Sequence, residues 1–99
     1  MAYSVNKATV LGNVGRDPEV RYTQSGKAVC NFSVATEHAW GDKKETEWHK
    51  ITAWDKLAEI CGKFITKGTK VFVEGRIQTR EYDDKDGNRR FVTEIIANE

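Results

Sequence analysis

The run Glu47 to Trp54 alternates with a period of two. As a strand it puts Trp48, Lys50, Thr52 and Trp54 on one face and Glu47, His49, Ile51 and Ala53 on the other. The same period recurs from Ala28 to about Glu37, where Ala28, Cys30, Phe32 and Val34 form an apolar set and Asn31 and Ser33 a polar one. Val5 to Val14 reads as a first strand, with Lys7, Thr9, Leu11 and Asn13 on one face and Val5, Ala8, Val10 and Gly12 mainly on the other. Gly12 and Gly15 predict a bend or bulge near its end. Asp17-Pro18 is a turn, Glu19 to Tyr22 a short extended stretch, and Gln24 to Lys27 a hairpin loop. Trp40 to Thr46 reads as a charged loop leading into the tryptophan strand.

After Trp54 the period changes. Asp55 has the chemistry of a helix N-cap, and Leu57, Ile60, Cys61, Phe64 and Ile65 stand at i, i+3, i+4, i+7 and i+8, one apolar stripe. Lys67 and Gly68 supply a stop. Thr69 to Tyr82 is a long strand interrupted by Gly75, Asp83 to Asn88 a polar hairpin tip, and Arg89 to Ala97 a last strand. Three strands, one helix and two strands predict an all-β chain: a five-stranded OB-fold barrel with one capping α-helix between strands 3 and 4. A β-sandwich leaves that lone helix without a job.

The 99 residues suffice for one domain, 1–99. Sixteen Lys and Arg against fifteen Asp and Glu leave a net charge of +1, so a basic surface has to come from arrangement, not from composition. No apolar run reaches membrane-spanning length and the first residues lack a signal-peptide core, which makes cytoplasmic the expected location. Cys30 and Cys61 read as reduced, buried small hydrophobes.

No metal or other cofactor is expected. His38 and His49 lack metal-ligand spacing, and the Asp83, Asp84, Asp86 cluster lacks the length and terminal Glu of an EF-hand. Phosphate-binding and nucleophile motifs are missing, and no set of carboxylates and arginines converges, so a binding module is favoured over an enzyme. The face Trp48, Lys50, Thr52, Trp54 suits a single strand of nucleic acid: bases stack on indoles while an ammonium meets a phosphate. A core role for both indoles is the competing reading.

The chain resembles the bacterial-type single-stranded DNA-binding proteins along nearly its whole length. The resemblance rests on Val5-Asn6-Lys7, Gly12-Asn13-Val14-Gly15 and Asp17-Pro18-Glu19-Val20-Arg21-Tyr22, then Thr46-Glu47-Trp48-His49, Lys56-Leu57-Ala58-Glu59, Lys67-Gly68 and Glu74-Gly75, in family order. It implies an OB-fold that forms homotetramers and coats single strands during replication, recombination and repair. It implies stacking aromatics at Trp40, Trp48, Trp54 and Tyr82, the last two with the ring type exchanged relative to many members. Lys50, Lys56, Lys67 and Arg80 match commonly basic positions near the strand; Lys7, Arg21, Lys43 and Lys44 are weaker candidates. His49 matches a subunit contact. Glu81 stands where some relatives carry a base, and the Gly41 to Thr46 loop is shorter than in many, so it should wrap less strand. The sequence stops at Glu99, where the family usually continues into a linker and an acidic tip, so tail-mediated replication partners are not implied. A protein-interaction adaptor of the primosome or recombination type is the alternative, and an RNA-binding OB domain a third.

Overall fold

A computed structural model describes residues 3–98; Glu99, the expected end of the barrel, lies outside them. The strands are β1 (Ala8–Val14), β2 (Glu19–Tyr22), β3 (Ala28–Trp40), β4 (Lys43–Trp54), β5 (Lys70–Asp83) and β6 (Arg89–Ala97), with helix α1 (Asp55–Phe64) between β4 and β5. The order β1-β5-β6-β4-β3, closed by pairing of β1 with β3, makes a five-stranded barrel; β2 is a short extra strand on β3. The helix therefore follows the third of the five barrel strands, as expected. One pairing departs from an antiparallel set: β4 and β6 run parallel, with Ile51 beside Ile95 and Thr52 beside Ile96.

Inward faces supply the core: Val10 and Val14 from β1, Cys30, Phe32 and Val34 from β3, Ile51 and Ala53 from β4, Val73 from β5 and Ile95 from β6. At two places backbones approach too closely for a side chain. A Cβ on Gly12 would strike the Ala35 carbonyl of β3, and one on Gly75 the Ile96 carbonyl of β6. Gly12 is thus explained by the barrel's closure and Gly75 by the close approach of β5 and β6. Burial, aided by the Cys61 thiol, pushes the Cys30 thiol up to about 11, so it packs as an inert hydrophobe at neutral pH.

Several local expectations shift. β1 starts at Ala8 and not Val5, because the Asn6 side chain takes the place of a backbone rung: its Nδ2 donates to the Ile77 carbonyl and its Oδ1 accepts from Ile77 N, both at 2.8 Å. Asp55 is not the N-cap. Trp54 holds that position without a side-chain cap, and Asp55 opens the helix at φ 56. The helix ends at Phe64 rather than near Lys67, and Gly68 serves the turn beyond it at φ 89. Its buried face is Leu57, Ala58, Cys61 and Ile65, whereas Ile60 and Phe64 are exposed. The apolar stripe is rotated toward the small Ala58, which lets α1 lie close against β3 and β4.

The Trp40 to Thr46 loop is also a correction. β3 and β4 stay paired up to Trp40 opposite Lys43, so only Gly41 and Asp42 form the turn, with Gly41 at φ 56 in the first central position as a type II′ hairpin requires. This hairpin and the β5–β6 hairpin extend past the barrel as two ribbons with exposed faces. They account for a radius of gyration of 15.0 Å, where about 13 Å is usual for a chain of ~100 residues.

Candidate nucleic-acid interface

The β3–β4 register decides which side chains share the outer wall. Val29, Asn31, Ser33 and Ala35 pair with Trp54, Thr52, Lys50 and Trp48, and this outward set alternates with the core-facing one, Val29 and Thr52 being covered by their neighbours. On the far side of β4, the outward set is Arg76, Gln78, Arg80 and Tyr82 of β5 opposite Ile96, Glu94, Val92 and Arg90 of β6. Two concavities of 510 and 520 Å³ run across this wall and share Asn31, Thr52, Arg80 and Glu94. The first is rimmed by Arg16 and Lys50 together with the acids Asp17 and Glu19, the second by Arg21, Trp54 and Arg76. Together they form one continuous groove.

Trp48 and Trp54 are 55% and 41% exposed, so neither is a core residue. Six residue steps along β4 separate them, roughly 20 Å of wall. Trp48 rests on Gly15: a Cβ there would strike the indole ring. Gly15 is tied in turn by its N–H to the Ser33 carbonyl at 3.0 Å. The ring is thus seated on backbone while one side stays open. Trp48, Arg16, Ser33 and Gly15 border a smaller recess of 380 Å³.

The expected site residues divide into three groups. Trp54, Lys50, Arg21 and Arg80 line the two concavities, and Trp48 borders the smaller recess beside them. Tyr82 lies two residues beyond Arg80 on the same face of β5, so it extends the wall onto the β5–β6 ribbon. Lys56 is on the first turn of α1 beside Trp54, and Lys67 is in the α1–β5 turn, its backbone N–H donating to Asp17 Oδ1 at 2.8 Å. These three sit at the margins. The third group lies elsewhere. Trp40 and Lys43 pair with each other on the face that continues the barrel interior, opposite in register to Trp48, and Trp40 stacks obliquely on His38 with ring centroids 5.1 Å apart. Lys44 pairs with Glu37 at 3.2 Å, and Lys7 with Glu74 of β5 at 3.6 Å. His49 faces inward beside Val34 and meets Thr36 Oγ1 through Nε2 at 2.9 Å.

Groove residues that escaped the sequence reading include the cations Arg16 and Arg76, the polar Asn31 and Gln78, and the acids Asp17, Glu19 and Glu94. Arg16 follows Gly15, whose contact with Trp48 brings it to the rim; Arg76 follows Gly75 on the outward face of β5. Glu81, the expected weak point of the positive track, is taken up by Arg89 at 3.1 Å. At the β5–β6 tip, Asp84 Oδ1 accepts from the N–H groups of Asp86 and Asn88 and its Oδ2 from Arg90 Nε at 2.8 Å. The acidic cluster therefore staples a turn, and no group of potential metal ligands occurs among the described residues.

A closed five-stranded barrel with one helix and an aromatic, cation-rimmed groove defines a single-strand-binding OB-fold domain. The family model described as "Single-strand binding protein family" matches residues 5–99, and the chain belongs to that family. It is 54% identical over 101 residues to the single-stranded DNA-binding proteins of Neisseria meningitidis serogroups A and B, covering 97% of this chain and 58% of each relative. The chain thus spans little more than half the length of these relatives. Among solved structures, a Plasmodium falciparum SSB in complex with ssDNA superposes with a TM-score of 0.88 at 33% identity, covering 97% of this chain and 88% of that one.

Proposed function

We propose that the chain binds single-stranded DNA without strong sequence preference, in support of replication, recombination and repair. The observation that carries this reading is the outward pair Trp48 and Trp54 on one face of β4, with Lys50 between them, along a groove on the barrel wall. Every base has a π-face, so stacking tolerates sequence, and each stacked base contributes on the order of 1–3 kcal/mol. Lys50, Arg16, Arg21 and Arg76 line the groove without an ion pair among the described residues, which leaves them free for phosphates. With Arg80 they outnumber the acids Asp17, Glu19 and Glu94 of the same lining by five to three, and that local excess answers the near-neutral net charge. Tyr82 extends the stacking track, and Lys56 and Lys67 guide the strand at its margins. On this reading Trp40, Lys43 and Lys44 meet DNA only where it wraps the β3–β4 ribbon.

Self-association belongs to the same proposal. Leu11 of β1 and Phe72 of β5 are cross-strand neighbours, each 59% exposed, on a wall distinct from the groove. A second copy covering them, with His49 near a subunit contact, would join grooves into a longer site and raise avidity; a homotetramer is the expected assembly. No described helix is long and apolar enough to cross a membrane. As part of the same proposal, the work of a strand-coating protein falls in the cytoplasm, at the nucleoid.

Titration with oligo-dT should quench tryptophan emission, with ssDNA competing better than dsDNA or RNA at two salt concentrations. Unchanged emission and no complex at low salt would sink the reading. If alanine at Trp48 and Trp54 instead broke assembly while DNA affinity survived, the protein-adaptor alternative would take its place.

A further inference from the structure

The groove floor is polar and contains a buried acid. Asn31 of β3, Thr52 of β4, Glu94 of β6 and Arg80 of β5 each send one side chain from neighbouring strands into one hydrogen-bonded row. Thr52 Oγ1 lies 3.1 Å from Asn31 Oδ1 and 2.9 Å from Glu94 Oε2, while Arg80 Nε donates to Glu94 Oε1 at 3.2 Å. A hydroxyl has one proton, and the carboxylate is the stronger acceptor. The row closes when the Asn31 amide is turned, its NH2 donating to Thr52 and Thr52 to Glu94. Glu94 is 7% exposed, whereas the Arg80 side chain is 53% exposed. The acid is therefore sunk beneath its partner, whose remaining guanidinium nitrogens extend toward the groove.

A buried carboxylate is costly unless paired, and on a wall that receives a polyanion it opposes binding. Its presence calls for a role beyond packing. We propose that Glu94 is the positioning residue of the floor. It holds the Arg80 guanidinium by Nε and cancels its charge toward the bound strand. Arg80 then offers a fixed planar donor to bases, while phosphates go to the rim cations Lys50, Arg16, Arg21 and Arg76. The inference rests on the single-strand-binding reading and sharpens it: Arg80, matched by resemblance to a backbone cation, acts on bases and releases no counterion.

The test is the slope of log Kobs against log salt for oligo-dT, measured on the wild type, Glu94→Gln, Arg80→Gln and the double variant. A cation that neutralises one phosphate of a single strand contributes about −0.7 to this slope. Glu94→Gln frees Arg80 to meet a phosphate and steepens the slope by about 0.7. The double variant binds more weakly, having lost the planar donor, with the wild-type slope. It buries no charge, so it tests the pair even if Glu94→Gln alone fails to fold. A double variant shallower than wild type by about 0.7 shows that Arg80 already neutralises a phosphate, and overturns the proposal. So does Glu94→Gln with the wild-type slope, whatever happens to its melting temperature. If the wild type forms no complex at low salt, the functional reading itself falls; if it binds with the wrong slopes, only the role of Glu94 does.

Discussion

Two walls of the same barrel expose large apolar side chains, and they differ in what surrounds them. On the β3–β4–β6–β5 wall, Trp48 and Trp54 flank Lys50 above a concave polar floor, and several rim cations make no ion pair among the described residues, although Asp17 and Glu19 line the same concavity. On the β1–β5 wall, Leu11 and Phe72 sit side by side, and the nearby Lys7 is neutralised by Glu74. Exposure alone does not separate them. Charge pairing and curvature do: the first wall suits a flexible polyanion with flat bases, the second a dry contact with another copy. Lys7, read from resemblance as a weak DNA contact, belongs by position to the second wall.

The sharpest way to break this contrast is to truncate the rings on each wall. Trp54→Ala should weaken oligo-dT binding by about 1–3 kcal/mol, roughly 5- to 150-fold, with little loss of fold because the ring is largely outside the core. Trp48→Ala should act similarly. Paired serine substitutions at Leu11 and Phe72 should instead lower the mass seen by light scattering, leaving the affinity for a strand short enough to fill one groove intact. Should the serine pair abolish short-strand binding and preserve mass, the assignment of the walls is reversed.

Gly15 tests how the first wall is built. Its φ is ordinary, so the glycine is needed for space beneath the Trp48 ring, not for backbone freedom. Gly15→Ala should push the indole off its seat and weaken oligo-dT binding by up to the cost of Trp48→Ala. The diagnostic is a double variant: adding Gly15→Ala to Trp48→Ala should cost almost nothing more, since interacting residues are non-additive. Full additivity would mean that Gly15 acts elsewhere.

What could be read in the sequence follows the physics of burial. β4 was legible because its middle is half-buried, which imposes a period of two and puts both tryptophans and Lys50 on one face. The first half of β4 was not: both faces of the ribbon meet solvent, so Lys43 to Thr46 show no alternation and resemble a loop. The helix was legible as an element and its face in part: Leu57, Cys61 and Ile65 dock as expected, but Ile60 and Phe64, which carry strong apolar signals, are exposed, and Ala58, which carries almost none, is buried. Glu94 and Arg16 reach the groove through non-local pairing and loop packing, which no local pattern encodes. Glu94 in particular resembles any outward strand carboxylate until the parallel neighbour β4 brings Thr52 beside it.

A smaller effect distinguishes free rim cations from those already paired. Lys50→Gln should make the salt slope shallower by about 0.7, because one phosphate contact is lost. Lys44→Gln should change it less, since Glu37 already holds that ammonium at 3.2 Å on the β3–β4 ribbon. Equal slopes for the two variants would mean that the strand wraps the ribbon as closely as it follows the groove.

The smallest effect is confined to the β5–β6 tip, outside both walls. The hydrogen bond from Arg90, then that from the Asn88 N–H, holds the Asp84 carboxyl below the usual aspartate range near ~3.9. A depressed folded-state pKa means that the stabilising contribution is fully present above the unfolded value and is lost as pH falls through the folded one. The tip should therefore stay stapled at neutral pH and loosen only in acid. Hydrogen exchange at the Asp86 and Asn88 amides should then outpace what the pH dependence of intrinsic exchange predicts. Asp84→Asn should remove that excess, and Trp54-dependent DNA binding should not follow it. Binding that tracked Asp84 protonation would extend the groove to the tip, and Tyr82, two residues before Asp84 on the outward face of β5, is the ring through which such coupling would run.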